Sequence, residues 1–468
     1  MSNTRSSNSL HNASRATRPT AARWTQPLPS ADFLYCVRWC ESRSRSSRRS
    51  SRSSRRSANM TRCLISKSEV QGFVERCMTS VGTQPHHARS LAEVLVEGDH
   101  RGHYSHGLNR MDMYVKDVQT GICAKDGEPV VEKESAATAL VDGKNLLGPV
   151  VGNFCMNLAI KKAKEAGIGW VVAHGSNHYG IAGYYAMQAL KENMIGMSFT
   201  NTSPLVVPTR GKECTLGTNP ISVAAPAKDG DSFVLDMATS AVALGKVELH
   251  ERRGDTIPEG WGCDAQGKLT TNPKEVLSGG GLVPIGGSEA TGGYKGFGLG
   301  MMVEVFCGIL AGAQYSKHVR TWKVTDRVAN LGQCFVAINP ENFAPGFSDR
   351  MSDLLSIHRG MEPADSASPV LTAGDPERIN MKKCEEMGGI PYHINVINYM
   401  VGGAKGTAWN VHRGVLFIAH LKELRVCTFL QIHLITLIMS ATKPFLNKAH
   451  FPKSNCSFQK KAFAIQLH

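Results

Sequence analysis

At 468 residues the chain can hold two or three domains with a cleft between them, and 42% hydrophobic residues is ordinary for a folded protein. The formal charge of +14 invites a nucleic-acid reading until it is divided along the chain. Residues 1–59 hold twelve arginines against two acids (+10), residues 401–468 hold nine basic residues against one acid (+8), and the stretch between carries −4, which disfavours a polyanion-binding body.

Thirteen cysteines occur without a single Cys-x-x-Cys pair, a pattern of reduced intracellular thiols rather than of a disulfide framework or zinc ribbon. No run reaches the ~18–20 apolar residues of a membrane span. The nearest, Val426 to Ser440, is interrupted by Gln431 and His433.

Residues 1–59, almost purely Ser and Arg from 42 to 57, cannot bury enough apolar surface to fold and are expected to be disordered. We read them as sequence upstream of a start at Met60, with an organelle-targeting presequence as the alternative. The expected location is therefore cytoplasmic, or mitochondrial in the second case.

Order begins at Ser66-x-x-Glu69, a capping-box spacing followed by Val70, Phe73, Val74, Cys77 and Met78 at helical intervals and closed by Gly82. A second helix is predicted from Pro85 to Gly98. Gly102–Gly107 reads as a turn, and helical spacing resumes over Leu108–Val118. From 128 to 340, predicted strands (Ala137–Val141, Gly169–Ala173, Ile195–Thr200, Ile221–Ala224, Phe233–Leu235) alternate with helical stretches (Val151–Glu165, Gly180–Lys191), so an α/β domain with a mixed or largely parallel sheet is expected. A Gly-led helix over Gly296–Leu310 follows, then helices over Met351–His358 and Pro376–Met387.

Neither Gly-x-Gly-x-x-Gly nor a Walker Gly-x-x-x-x-Gly-Lys-[Ser/Thr] occurs, so a dinucleotide would need another loop set. Gly292-Gly-Tyr-Lys295-Gly-Phe-Gly298, opening an apolar helix, offers backbone amides, a helix dipole and the Lys295 charge to a phosphate. The plainer reading is a glycine turn before a buried helix.

His178, in Gly175-Ser-Asn-His-Tyr-Gly180 directly after a predicted strand, sits where α/β enzymes place catalytic groups, and its pKa suits proton exchange with a carbinol oxygen. His174 reads as structural. Arg110 can grip a carboxylate bidentately, and Ser105 and His106 precede it closely enough to share that anion. His100, His103 and His106 at i, i+3, i+6 raise a metal alternative, but no cysteine or carboxylate completes a set locally, and no metal is expected. Asp236 ends a predicted strand, where an acid can hold a ribose hydroxyl or orient a base.

Together these segments resemble the malate/L-lactate dehydrogenase family that is unrelated to the conventional lactate dehydrogenases. The family also holds ureidoglycolate, sulfolactate and diketogulonate oxidoreductases and cyclic imino-acid reductases. The residues that carry the resemblance are Ser105-His-Gly-x-x-Arg110, Asn177-His178-x-Gly180, Ser203-Pro-x-x-Val-Pro208, Gly217-Thr-Asn-Pro220, Asp236-Met-Ala-Thr239, Gly245-Lys246, Tyr294-Lys-Gly-Phe-Gly298, Asn330-Leu-Gly-Gln333 and Gly374-Asp-Pro-Glu377. They span about 62–395 in consistent order.

The resemblance implies an atypical, non-Rossmann dinucleotide-binding sheet domain (128–340) with helical N- and C-terminal parts (60–127 and 341–400), followed by a divergent basic tail at 401–468. It implies a homodimer using NAD or NADP on a small 2-hydroxy or 2-keto acid. It also implies His178 as the proton donor or acceptor and Ser105, His106 and Arg110 in the substrate pocket. Thr202, Asp236, Met237, Ala238, Lys295, Gly374 and Asp375 fall on cofactor positions. An NADPH-dependent reductase of cyclic 2-imino acids is the alternative on the same scaffold, and an RNA- or membrane-associated protein led by the Arg/Ser arm is the non-enzyme rival.

Overall fold

In the computed structural model, residues 62–321 and 324–402 are described; the Arg/Ser leader and the basic tail beyond residue 402 lie outside them. Among the described residues no helix is long and apolar enough to cross a membrane.

The chain enters on strand β1 (Arg62–Ile65), then helices α1 (Lys67–Ser80) and α2 (Pro85–His100), which pack face to face. The expected N-cap forms: the Ser66 hydroxyl accepts from the Glu69 amide at 3.2 Å. The predicted Leu108–Val118 helix begins as a 3₁₀ turn, Leu108–Arg110, and continues as α3 (Met111–Gln119). Strands β2 (Val130–Glu134) and β3 (Thr138–Asp142) lead to α4 (Gly148–Ala166) and then β4 (Ile168–Ser176). Helix α5 (Ala182–Ala186), β5 (Ile195–Thr200), β6 (Ile221–Pro226), β7 (Ser232–Met237) and α6 (Leu244–Arg253) follow.

A small three-stranded sheet of β8 (Gly262–Cys263), β9 (Leu269–Thr270) and β10 (Gly281–Leu282) encloses α7 (Pro273–Leu277) in the chain and precedes α8 (Gly293–Glu304). Strand β11 (Leu331–Ile338), α9 (Phe347–Arg359), α10 (Asp375–Met387), β12 (Ile390–His393) and α11 (Ile394–Gly402) complete the described chain. Strand β12 returns to pair antiparallel with β1.

The fold is mixed α/β, with a seven-stranded central sheet in the order β2-β3-β4-β11-β5-β6-β7. Of the two expected arrangements the mixed sheet is the one found and the largely parallel one is corrected: only β3 and β4 run parallel, and every other neighbouring pair in this sheet is antiparallel. Consecutive strands β2-β3, β5-β6 and β6-β7 pair antiparallel, and β11 arrives from more than 100 residues downstream to insert antiparallel between β4 and β5. That strand was not among the expected ones. Its eight residues are buried on both faces except at the last, so it shows no alternation of polar and apolar side chains to betray a strand.

Helix α4 covers one face of β4 and β11. The other face is covered by the continuation of α8 through a π-helical segment, Val305–Ile309, with Val303 and Cys307 against Val172, Phe199, Cys334 and Val336. Close approach is possible because Gly169 on β4 lies where a Cβ would strike the Ala159 carbonyl of α4.

Two further elements differ from expectation. Gly180–Lys191 is not one helix; α5 is five residues long and gives way to a separate 3₁₀ turn, Ala189–Glu192. Gly180 stays outside it, at φ +82 with its α-carbon against Val94. The Gly-led helix starts earlier than Gly296, at Gly293, with Gly292 as a left-handed cap. All nine cysteines among the described residues are free, as their spacing predicts.

Candidate active site

His178 lies just past the carboxyl end of β4, and its backbone is held from several sides. The Gln333 side-chain amide of β11 donates to the Asn177 carbonyl at 3.0 Å, while the Ser176 hydroxyl donates to the same Gln333 at 2.8 Å. The buried Asn177 amide donates to the Leu146 carbonyl at 2.8 Å and to Asn145. Helix α4 begins against this loop at Gly148, where any Cβ would collide with the carbonyl oxygens of Asn177 and His178. Only glycine lets the helix start there.

The loop between α2 and α3 supplies the facing wall. Asp99, fully enclosed near the end of α2, accepts from the Leu108 amide at 2.8 Å and from the Tyr392 hydroxyl at 2.7 Å. Burial pushes its carboxyl up to about 7. Gly107 packs directly on that carboxylate. The loop so fixed carries Ser105, His106 and Arg110. Arg110 Nε donates to the Ser105 carbonyl at 2.6 Å, which sets the plane of the guanidinium, and the Ser105 hydroxyl meets His106 Nδ1 at 2.8 Å.

These two loops converge. The rings of His106 and His178 lie parallel, with centroids 5.9 Å apart and planes 17° apart. Tyr114 Oη sits 2.6 Å from His178 Nδ1, and the Gly180 amide donates to the same nitrogen at 3.3 Å. Tyr114 joins this cluster although the sequence did not single it out. The signal was present, since it follows Arg110 at i+4 on one helix face.

Burial, His106 and Arg110 together hold His178 well below its usual pKa, and burial with Arg110 pushes His106 down to about 4. Both imidazoles are neutral at pH 7. The partner at Nδ1 matters here. A phenol, unlike a carboxylate, adds no charge to stabilise imidazolium. It donates to Nδ1 while that nitrogen accepts from Gly180, and it accepts from Nδ1 in the tautomer that leaves Nε2 free to take a proton, the 3.3 Å Gly180 contact then giving way.

Ser105, His106, Arg110 and His178 line one cavity of about 390 Å³, which also reaches Thr202, Asp236, Met237 and Ala238. On that far side, the Thr202 amide donates to the Asn219 side chain at 3.1 Å and the Thr218 amide donates to the Thr202 hydroxyl at 2.9 Å. Asn219 and Asn201 both donate to the buried Glu304 carboxylate at the end of α8, at 3.1 and 3.0 Å. The first turn of α6, with Leu244, Gly245 and Lys246, closes another wall, and a Cβ on Gly245 would stand 4.0 Å from the Arg110 guanidinium. The Asp236 carboxylate accepts from the Gly183 amide at 2.8 Å, and enclosure by protein raises its pKa against the pull of His103.

Three of the sequence candidates do not line the cavity. Lys295 is exposed, with its ammonium 5.8 Å from the Tyr294 ring, and the neighbouring glycines Gly293 and Gly296 pack on the carbonyls of Gly287 and Ile285. Asp375 is the hub of an ion-pair network with Arg359 at 2.8 Å and Arg378 at 2.7 Å, its pKa held well below the usual carboxylate range. Gly374 packs against Val234 of β7, two residues before Asp236.

The three-histidine metal alternative does not assemble. His100 meets Lys67, His103 faces Glu377 at 3.4 Å, and His106 joins His178. His174 is structural, 2.9 Å from Glu132.

A malate dehydrogenase of Pyrococcus abyssi is 42% identical over 337 residues, covering 71% of this chain and 92% of that protein. The solved structure of a malate dehydrogenase from Pyrococcus horikoshii superposes with a TM-score of 0.67 at 38% identity, covering 73% of this chain and 97% of that one. A Δ1-piperideine-2-carboxylate reductase from Pseudomonas syringae is more distant in sequence, at 28% identity and TM-score 0.65, covering 73% and 99%. The family model for malate/L-lactate dehydrogenase matches residues 65–401, the whole stretch that builds the sheet and both walls of the cavity. With an arginine and a neutral histidine meeting in that cavity, the chain belongs to the malate/L-lactate dehydrogenase family, as an oxidoreductase acting on the CH–OH group of a hydroxy acid.

Proposed function

We propose that the enzyme interconverts a small 2-hydroxy acid and its 2-keto acid with NAD or NADP, and that the preferred acid carries a second anionic group. The observation that carries the reading is the sharing of one cavity by Arg110, His178 and the first turn of α6 with Lys246. Arg110 grips the C1 carboxylate in a bidentate pair. His178 exchanges the C2 hydroxyl proton at Nε2, while Tyr114 holds Nδ1. His106, neutral and stacked on His178, donates to or positions the C2 oxygen. Lys246 and the positive end of α6 receive the second anion.

A nicotinamide cofactor supplies the hydride acceptor or donor when bound. The residues present fit such a group: Thr202, Thr218 and the strand-end backbone of Met237 and Ala238 give neutral polar contacts, and Asp236 gives an acceptor for a ribose hydroxyl. In this reading the sheet is an atypical dinucleotide fold whose loops replace the missing glycine fingerprint. Gly374, packed on Val234 of β7, and Asp375 beside it support that side from outside the cavity, while Lys295 is exposed to receive a phosphate.

The test is reduction, with both reduced cofactors, of a 2-ketodicarboxylate such as oxaloacetate, of pyruvate and of a cyclic 2-imino acid. The dicarboxylate is expected to be preferred, and Lys246→Ala to lower kcat/KM for it about 5- to 30-fold while leaving pyruvate unchanged (roughly 1–2 kcal/mol for a partly exposed charge pair). Equal use of pyruvate by the wild type removes the second-anion reading. Preference for the cyclic imine installs the reductase in its place.

A homodimer is part of the same proposal. Along α8 and its π-helical extension, Leu299, Met301, Val305, Ile309 and Leu310 are exposed, an apolar stripe that a second copy would cover. Light scattering is expected to give twice the chain mass, and the mass of one chain rejects the dimer.

A further inference from the structure

We infer that the enzyme carries a divalent-cation site, suited to zinc, formed by His86 and His87 in the first turn of α2 and Glu128 in the loop after α3. The three residues offer ligand atoms that all lie within 4.8 Å of one another. They form the one such group of three among the described residues, and none lines the active cavity.

The argument rests on His87. Its side chain is 0% exposed, yet neither ring nitrogen makes a well-formed hydrogen bond in the protein. A buried imidazole nitrogen left without a well-formed hydrogen bond costs free energy that a bound cation would recover. The Gly127 carbonyl is close enough to act on the ring. That is the arrangement of a metal-ligating histidine, in which one nitrogen leans on a backbone carbonyl and the other binds the ion.

The neighbours suit the role. The His86 ring stands edge-on to His87 with centroids 4.2 Å apart, and His86 Nε2 is already 3.3 Å from Glu128 Oε1. Zinc bonds of about 2.0–2.1 Å set tetrahedral ligand atoms about 3.4 Å apart, so the widest pair must contract by at most about 1.4 Å. His86 and Glu128 are exposed and can make that movement, whereas His87 need not. The N-terminus of α2 repels a cation, and the carboxylates of Glu128 and Asp126, both acting on His87, offset that repulsion. Water would complete the set.

An ion there would clamp α2 to the loop after α3, where the Gln84 amide already donates to the Lys125 carbonyl at 3.1 Å. Those two helices bracket the loop bearing Ser105, His106 and Arg110. The expected role is therefore stability rather than chemistry.

The experiment is titration of the chelator-treated enzyme with zinc sulfate by calorimetry, with Co²⁺ absorption as a report on ligand geometry. The wild type is expected to bind one ion that His86→Gln or Glu128→Gln weakens by roughly tenfold or more, since even outer-shell changes weaken metal sites 10- to 100-fold. Zinc is expected to raise the wild-type melting temperature and not that of His86→Gln, with turnover the same in both. These two substitutions are at exposed positions, so the result does not depend on His87 variants folding. Absence of saturable binding overturns the proposal. So does binding of equal strength in wild type and both variants, which would place the ion elsewhere.

Discussion

Replacing His178 with alanine lowers turnover by roughly 10²–10⁴-fold, the range of a lost general acid–base group, while cofactor affinity stays near the wild-type value. Turnover within a few-fold of wild type sinks the assignment. The pH dependence follows from the direction of the His178 shift. Reduction of a keto acid draws on the protonated imidazole. Because burial, His106 and Arg110 lower its pKa, the protonated fraction at pH 7 is small and grows about tenfold per pH unit of acidification until that pKa is reached. In the free enzyme, kcat/KM for reduction therefore rises toward acid, and kcat/KM for oxidation, which needs the neutral ring, is already near its plateau at pH 7. Initial rates in both directions across pH 5–9 (about the range in which histidine titrates) check this.

The second large effect is at Arg110. Arg110→Leu is expected to lower kcat/KM for the keto acid roughly 30- to 1,000-fold, about 2–4 kcal/mol for stranding a charge in an enclosed site. Most of the loss should fall on KM, since the carboxylate is held in ground state and transition state alike. Arg110→Lys should recover little, because a point charge lacks the planar fork. One further consequence separates this role from simple unfolding. Arg110 is one of the groups that lowers the His178 pKa, so its removal moves the acid limb of the reduction profile to higher pH. An unchanged KM together with an unmoved profile would show that Arg110 faces neither the substrate nor His178.

Several features were written locally in the sequence. Ser66 and Glu69 announced the first cap because a hydroxyl three residues ahead of an amide can reach it without help from the rest of the fold. His178 was recognisable because a polar loop followed an apolar run, and Ile195–Thr200 was found to the residue because its apolar stretch is bounded by breaks. Lys295 and Asp375 show the limit. Each sits in a motif of the right composition, but one is exposed outside the cavity lining and the other is paired with Arg359 and Arg378, 16 and 3 residues away.

What the chain alone determined, then, was most of the helices, five of the seven strands of the central sheet, the absence of a glycine fingerprint and the residue types able to handle a hydroxy acid. These depend on near neighbours and on side-chain chemistry. What only the tertiary structure decided was the sheet order, set by β11 entering between β4 and β5, and the meeting of Arg110, Tyr114, His106 and His178. Those contacts join segments more than 60 residues apart, and their geometry depends on which strands pair and on glycines such as Gly148 that let backbones touch. No local pattern encodes a distance of that kind.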